Sequence, residues 1–195
     1  MFGFSFLDLS SFLGLSATVA LTGNFLLGMM LGTAYKKSAI WRKFPAAIKK
    51  INLYELHNQT AYVALLLVIL HPLFLVLDRN AGFTLTDILF PLNAPKQPII
   101  VLLGSLSMYG LMVVIITTQK LIKKKISFRT WKNIHLISYA IALLFIFHGL
   151  LMDPELKDRP TDWLDAEKFL SEFCLLMLVA ASVMRYRYYV KNKSV

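Results

Sequence analysis

The sequence predicts an all-α membrane protein, a single bundle of five transmembrane helices. Composition is the first reason, because 57% of the 195 residues are hydrophobic and only 16% are charged, too few for a water-soluble surface. The second reason is that five apolar stretches reach the length of about 20 residues that a bilayer core requires. The third is that the basic residues are concentrated in alternate connections between these stretches.

The five stretches are expected to span residues 11–35, 53–77, 98–118, 128–152 and 166–190, and residues 1–195 to form one domain. Little sequence remains for the connections, so no separate soluble domain is expected. A single cysteine, Cys174, excludes a disulfide within the chain, a CxxC redox pair and an iron–sulfur cluster held by cysteines.

Sixteen of the 21 lysine and arginine residues lie in three segments, residues 36–50, 120–132 and 185–193, which comprise the first and third connections with the start of the fourth span and the end of the fifth. The positive-inside rule then places the N-terminus outside the cell and the C-terminus in the cytoplasm. The formal charge of +10 is therefore interpreted as an orientation signal, with lipid headgroups as partners and no nucleic acid. An acidic cytoplasmic partner is the alternative use for these loops.

All four histidines lie in two of the spans: His57 and His71 in the second, His135 and His148 in the fourth. Histidines 14 residues apart are separated by about 21 Å along a helix and lie within about 40° of one face. Both spans start from a basic loop, so they run in the same direction. The spacing therefore predicts two pairs, His57 with His135 near the cytoplasm and His71 with His148 near the outside.

Two neutral imidazoles that face each other across two helices are able to hold a haem iron from both sides. Such an iron has no open position, which suits electron transfer rather than O₂ binding. Two centres about 20 Å apart would form an electron path across the membrane.

The fourth span presents a mismatch, because a separation of 13 residues leaves its two histidines about 140° apart in azimuth. From Tyr62 to His71 and from Tyr139 to His148 the count is nine residues in both spans. The missing residue therefore lies in the first turn of the fourth span. We expect local 3₁₀ distortion near His135, or a porphyrin rotated about the bundle axis.

Intramembrane histidines have other uses. One is a polar residue satisfied within the bundle core, and another is a proton pathway in a transporter without haem. A proton pathway usually recruits carboxylates too, and the second span has only Glu55 near its mouth. A zinc site needs its ligands gathered around one ion rather than about four helical turns apart.

Both spans that carry histidines also carry short motifs around them. These are LHNQTAY (56–62) with HP (71–72), and WKNIH (131–135) with Tyr139 and HG (148–149). Together they resemble the ferric reductase-like transmembrane domain. That superfamily includes NADPH oxidases, yeast-type ferric reductases and the small bacterial haem-binding subunits of methionine sulfoxide reductase systems.

The resemblance implies two b-type haems, with His57 and His135 holding the inner one and His71 and His148 the outer one. It implies an oxidoreductase that passes electrons from a cytoplasmic donor to an acceptor outside, in a bacterial inner membrane. No G-x-G-x-x-G motif is present, so a separate flavoprotein reductase or quinol is the expected donor. Ferric iron, O₂ and an oxidised protein partner all stay open as acceptors.

The alternative function is a membrane anchor subunit that carries haem for a separate catalytic protein without turning over a substrate itself. No catalytic residue is assigned. Arg42 and Arg129 are candidate partners of haem propionates, with lipid headgroups as the alternative.

Glycines in the first and third spans have two interpretations, close helix packing and room for a porphyrin. They are Gly28, Gly32, Gly104 and Gly110. Pro72, directly after His71, is expected to bend the second helix, either to aim His71 at iron or as a tolerated kink.

Overall fold

The computed structural model describes residues 5–153, 155–157 and 166–193, and these residues form helices and connecting turns without strands. The long helices are α1 (Phe6–Leu31), α2 (Leu53–Leu77), α3 (Pro98–Thr118), α4 (Phe128–Leu136), α5 (Ser138–Leu151) and α6 (Ala166–Lys193). Short helical segments span Tyr35–Lys37, Ala39–Lys43, Ala46–Lys49, Leu85–Leu89, Pro91–Asn93 and Lys120–Lys123.

Among the described residues, five units are long and apolar enough to cross a membrane: α1, α2, α3, α4 together with α5, and α6. The predicted all-α membrane bundle of five helices is thereby confirmed. The end of the bundle formed by the three basic segments, residues 36–50, 120–132 and 185–193, is called the basic end below. Which side of the membrane it faces stays a prediction.

The bounds of α2 and α3 are those that hydropathy predicts, whereas α1 occupies Phe6–Leu31 rather than 11–35. A capping box explains the earlier start. The Asp8 backbone N–H donates to Ser5 Oγ at 3.0 Å, and the Ser5 N–H donates to Asp8 Oδ2 at 2.9 Å. These bonds satisfy orphan donors of the first turn, so the first helix begins where its cap lies, ahead of the most apolar residues. At the other end of the chain, α6 continues to Lys193.

The fourth span is interrupted, because α4 ends at Leu136 and α5 begins at Ser138. The Ile137 N–H donates to the carbonyl of Ile134, three residues earlier, at 3.0 Å. A bond over three residues is the tighter 3₁₀ pattern. The distortion predicted near His135 from the missing residue is therefore confirmed, and it lies two residues after that histidine.

The helices that carry the histidines pack mainly against other helices and leave a gap between themselves. α1 packs most extensively against α2 and also contacts α6, while α3 packs against α5. α2 and α5 scarcely contact each other directly. A buried apolar core fills the middle of the bundle, and within it the rings of Phe25 and Phe145 stack at 6.0 Å.

Away from the basic end, buried Asp78 connects α1 to the turn that follows α2. Its Oδ2 accepts the Leu7 N–H at 3.0 Å, and its Oδ1 accepts the N–H groups of Asn80 and Ala81 at 2.9 and 3.1 Å. The side chain is only 6% exposed. Three backbone donors thus depend on one carboxylate.

We expect Asp78→Ala to lower the free energy of unfolding by about 2–3 kcal/mol, because it leaves one buried and two partly buried backbone donors unsatisfied. Denaturant-induced unfolding in detergent, followed by circular dichroism, measures this loss. Asp87→Ala is the control, since the Asp87 carboxylate accepts only from neighbouring Thr84 and its loss should be smaller. Equal losses for both variants would contradict the connecting role of Asp78.

Candidate functional site

The four histidines meet as two cross-helix pairs at different depths of the bundle. The ring centroids of His57 and His135 lie 6.3 Å apart with an interplanar angle of 77°. Those of His71 and His148 lie 6.2 Å apart with an angle of 70°. The pairs are the ones that the residue spacing predicts, and each joins α2 to the α4–α5 unit across the gap between them.

The separation within each pair has a simple chemical meaning. Two metal–imidazole bonds of about 2.0 Å each, with the ring radius added at both ends, place ring centroids about 6 Å apart. Both pairs have that separation. Within the described residues, no group of three or more histidine, cysteine or carboxylate side chains gathers at either level. The arrangement therefore fits a metal that takes two ligands from the protein and the others from a macrocycle.

Backbone carbonyls hold three of the four rings. The Nδ1 of His57 lies 3.1 Å from the carbonyl oxygen of Asn24, and the Nδ1 of His71 lies 2.8 Å from that of Ser10. The Nδ1 of His148 lies 2.8 Å from the carbonyl oxygen of Ile100. A carbonyl oxygen only accepts, so Nδ1 carries the proton in each neutral ring. The unprotonated nitrogen is then Nε2, in the form that binds metals.

A glycine lies one helical turn after each of these carbonyls and makes room for the ring. A Cβ atom built on Gly14 would lie 3.1 Å from the His71 ring, and one on Gly28 would lie 3.1 Å from the His57 ring. On Gly104 it would lie 2.8 Å from Cε1 of His148. The two uses predicted for Gly28 and Gly104 are close helix packing and room for a porphyrin. In the structure, each of these glycines leaves space for a histidine ring to lie against the helix backbone.

These carbonyl and glycine positions define a repeat that the sequence reasoning missed. Ser10 precedes Gly14 by four residues, Asn24 precedes Gly28 by four, and the two sets are 14 residues apart. The same interval of 14 separates His57 from His71 on the antiparallel neighbour. This shared interval of 14 residues is a signal in the sequence that these residues meet the histidines. Only the packed helices show that the carbonyls and glycines hold the rings.

His135 has a different environment. Its Nδ1 is buried and has no hydrogen-bond partner among the described residues, and the same holds for Nε1 of Trp131. The Trp131 ring stacks on the His135 ring at 5.3 Å and 18°, with the ammonium of Lys123 4.0 Å from the indole centroid. Fourteen residues along α3 from Gly104 the chain has Thr118 rather than a glycine.

The His71–His148 pair borders a cavity between the helices. The cavity is lined from α1, α2, α3, α5 and α6, mostly by apolar side chains, with Gly14, Gly104 and Phe145 among them. Lys168, another residue that the sequence did not single out, lines it and is only 4% exposed. Its ammonium donates to the carbonyls of Gly149 and Met152 at the C-terminus of α5, where a cation is favourable.

The two arginines predicted near the inner level lie on the surface. Arg42 belongs to the short helix Ala39–Lys43 and Arg129 to the first turn of α4, and both are exposed. Neither guanidinium forms a hydrogen bond or an ion pair within the described part of the chain. Their binding of propionates stays a prediction.

Comparison with known proteins gives one family. The model of the ferric reductase like transmembrane component matches residues 9–146, which include His57, His71 and His135 and end just before His148. No curated protein and no solved structure matches the chain significantly.

Proposed function

Because the chain belongs to the ferric reductase like transmembrane component family, we propose that it transfers electrons across a membrane through two b-type haems. Membership makes it an integral membrane component of redox type, and the haems, donor and acceptor are our proposal. His57 and His135 would bind the inner haem, and His71 and His148 the outer one. When bound, such haems supply a one-electron Fe(III)/Fe(II) couple.

The observation that carries this proposal is the geometry of the two pairs. Each pair has the centroid separation of a metal held by two imidazoles, and three rings present Nε2 because Nδ1 donates to a carbonyl. Two protein ligands per iron leave no open coordination position, which favours outer-sphere electron transfer. A proton relay is less compatible with three Nδ1–H groups held by backbone bonds.

The protein's own residues would orient and insulate the centres. The carbonyls of Ser10, Asn24 and Ile100 set the ring orientation, and the apolar core around Phe25 and Phe145 separates the two levels and excludes water. From His57 to His71 the rise along α2 is about 21 Å. That distance covers most of a bilayer core of about 30 Å.

The direction of transfer follows from charge. We place the basic end in the cytoplasm, by the positive-inside rule, in the inner membrane of a bacterial cell. A flavoprotein reductase or a quinol would donate electrons there, since the basic loops attract acidic surfaces. The acceptor at the opposite end would be ferric iron, O₂ or an oxidised protein.

Haem stoichiometry tests the proposal. The purified chain is expected to hold about two haems, measured as pyridine haemochrome per polypeptide, with a low-spin b-type reduced-minus-oxidised spectrum. Reconstituted vesicles with a reductant on one side and a ferric chelate on the other should then reduce the chelate. A chain purified without haem that also fails to bind added haemin would overturn the proposal.

A further inference from the structure

Arg185 lies at the basic end of α6, and its side chain packs against the end of α1. The guanidinium lies against Gly32, the C-cap residue of α1, where an added Cβ would lie 2.8 Å from both terminal nitrogens. On another side the guanidinium carbon lies 5.8 Å from the ring centroid of Tyr139. Arg185 is half-buried by these contacts, whereas Arg187 is exposed.

Gly32 and Tyr139, which flank this guanidinium, each lie about one helical turn from a residue of the His57–His135 site. Gly32 follows Gly28, which the His57 ring contacts, by four residues on α1. Tyr139 follows His135 by four residues across the α4–α5 break. Arg185 therefore borders the space beside this pair.

Within the described residues, no anion neutralises this charge. The Arg185 guanidinium makes neither a hydrogen bond nor an ion pair with any of them, and the ring it faces is that of Tyr139. A half-buried guanidinium without a counter-ion is costly in a membrane protein. Its five N–H donors form a planar fork that matches a carboxylate.

We propose that Arg185, seated between Gly32 and Tyr139, binds a propionate carboxylate of the haem held by His57 and His135. The proposal rests on the proposed function, since it needs a haem at that pair. A carboxylate there would supply the missing counter-ion, and Gly32 provides the space that lets the guanidinium reach it. Arg185 would thus take the role predicted for Arg42 and Arg129, which lie exposed on the surface.

The test compares Arg185→Gln with Arg187→Gln, two residues away on the same helix. Both are prepared with haem in nanodiscs of zwitterionic lipid, and the inner haem's midpoint potential is measured by redox titration in a background that lacks the outer haem. Loss of the cation disfavours the reduced form. We expect Arg185→Gln to shift the redox equilibrium about tenfold toward Fe(III), or about 59 mV lower for one electron.

Gly32→Ala should shift the potential in the same direction, because its methyl group displaces the guanidinium, and Arg185→Lys should retain part of the wild-type value. These two variants keep the test available if Arg185→Gln fails to fold. Arg187→Gln should leave the potential unchanged.

Two outcomes would overturn the assignment while leaving the proposed function intact. One is a wild-type chain with two haems whose inner potential is the same in Arg185→Gln and Arg187→Gln. The other is an inner-haem potential that shifts on addition of anionic lipid in the wild-type chain but not in Arg185→Gln. That result would assign the guanidinium to a lipid phosphate. A wild-type chain without haem would instead contradict the proposed function itself.

Discussion

Replacing His71 with alanine is expected to lower the haem content from two per chain to one. The variant loses one imidazole ligand and leaves His148 without its partner at 6.2 Å, while the His57–His135 pair is unchanged. Haem stoichiometry and the low-spin spectrum measure this directly. His148→Ala should give the same result, because we assign both rings to one haem.

The matched control is Leu73→Ala, on the same helix and 41% exposed, which should keep both haems. Retention of one low-spin haem in His71→Ala would also show that the bundle still folds. Two low-spin haems retained in both His71→Ala and His148→Ala would refute the assignment of this pair.

Gly104→Ala is expected to weaken the outer centre without removing any ligand. Its new methyl group would lie 2.8 Å from Cε1 and 2.9 Å from Nδ1 of His148, so the ring must move. We expect this movement to break the Nδ1 bond to the Ile100 carbonyl and to change the 6.2 Å separation from the His71 ring. Loss of such a bond costs about 1–3 kcal/mol, so retention of the outer haem should fall about tenfold or more.

Gly23→Ala provides the control, because nothing lies within 4 Å of a Cβ added at Gly23. It should retain both haems and stabilise α1 slightly, by about 0.5–1 kcal/mol. Outer-haem dissociation during dilution into apomyoglobin gives the comparison. Equal dissociation rates for the two variants would mean that Gly104 has no part in seating His148.

The spans and the histidine pairs were predictable because they depend on patterns within single segments. Hydropathy predicted the bounds of α2 and α3, since a bilayer imposes a length on any apolar helix. Residue counts predicted which histidines meet, and the residue missing from the fourth span predicted the break beside His135. The earlier start of α1 was missed because a capping box, rather than hydropathy, determines it.

The carbonyls and glycines that hold the histidine rings, and the location of the Arg185 guanidinium, were not predictable in this way. Asn24, Ile100 and Arg185 have no unusual local pattern, and their contacts join helices far apart in the chain. Arg42 and Arg129 are exposed, and their binding of haem propionates stays a prediction based on depth alone.

From the amino-acid sequence alone come the membrane class, the five spans, the two levels of histidine and the distorted turn, because each is a property of composition or spacing along one helix. Only the tertiary structure decided which carbonyls orient the rings, which glycines admit them and which arginine lies against Gly32 and Tyr139. Those contacts depend on the rotation and register of neighbouring helices, and small differences in packing at every interface set both.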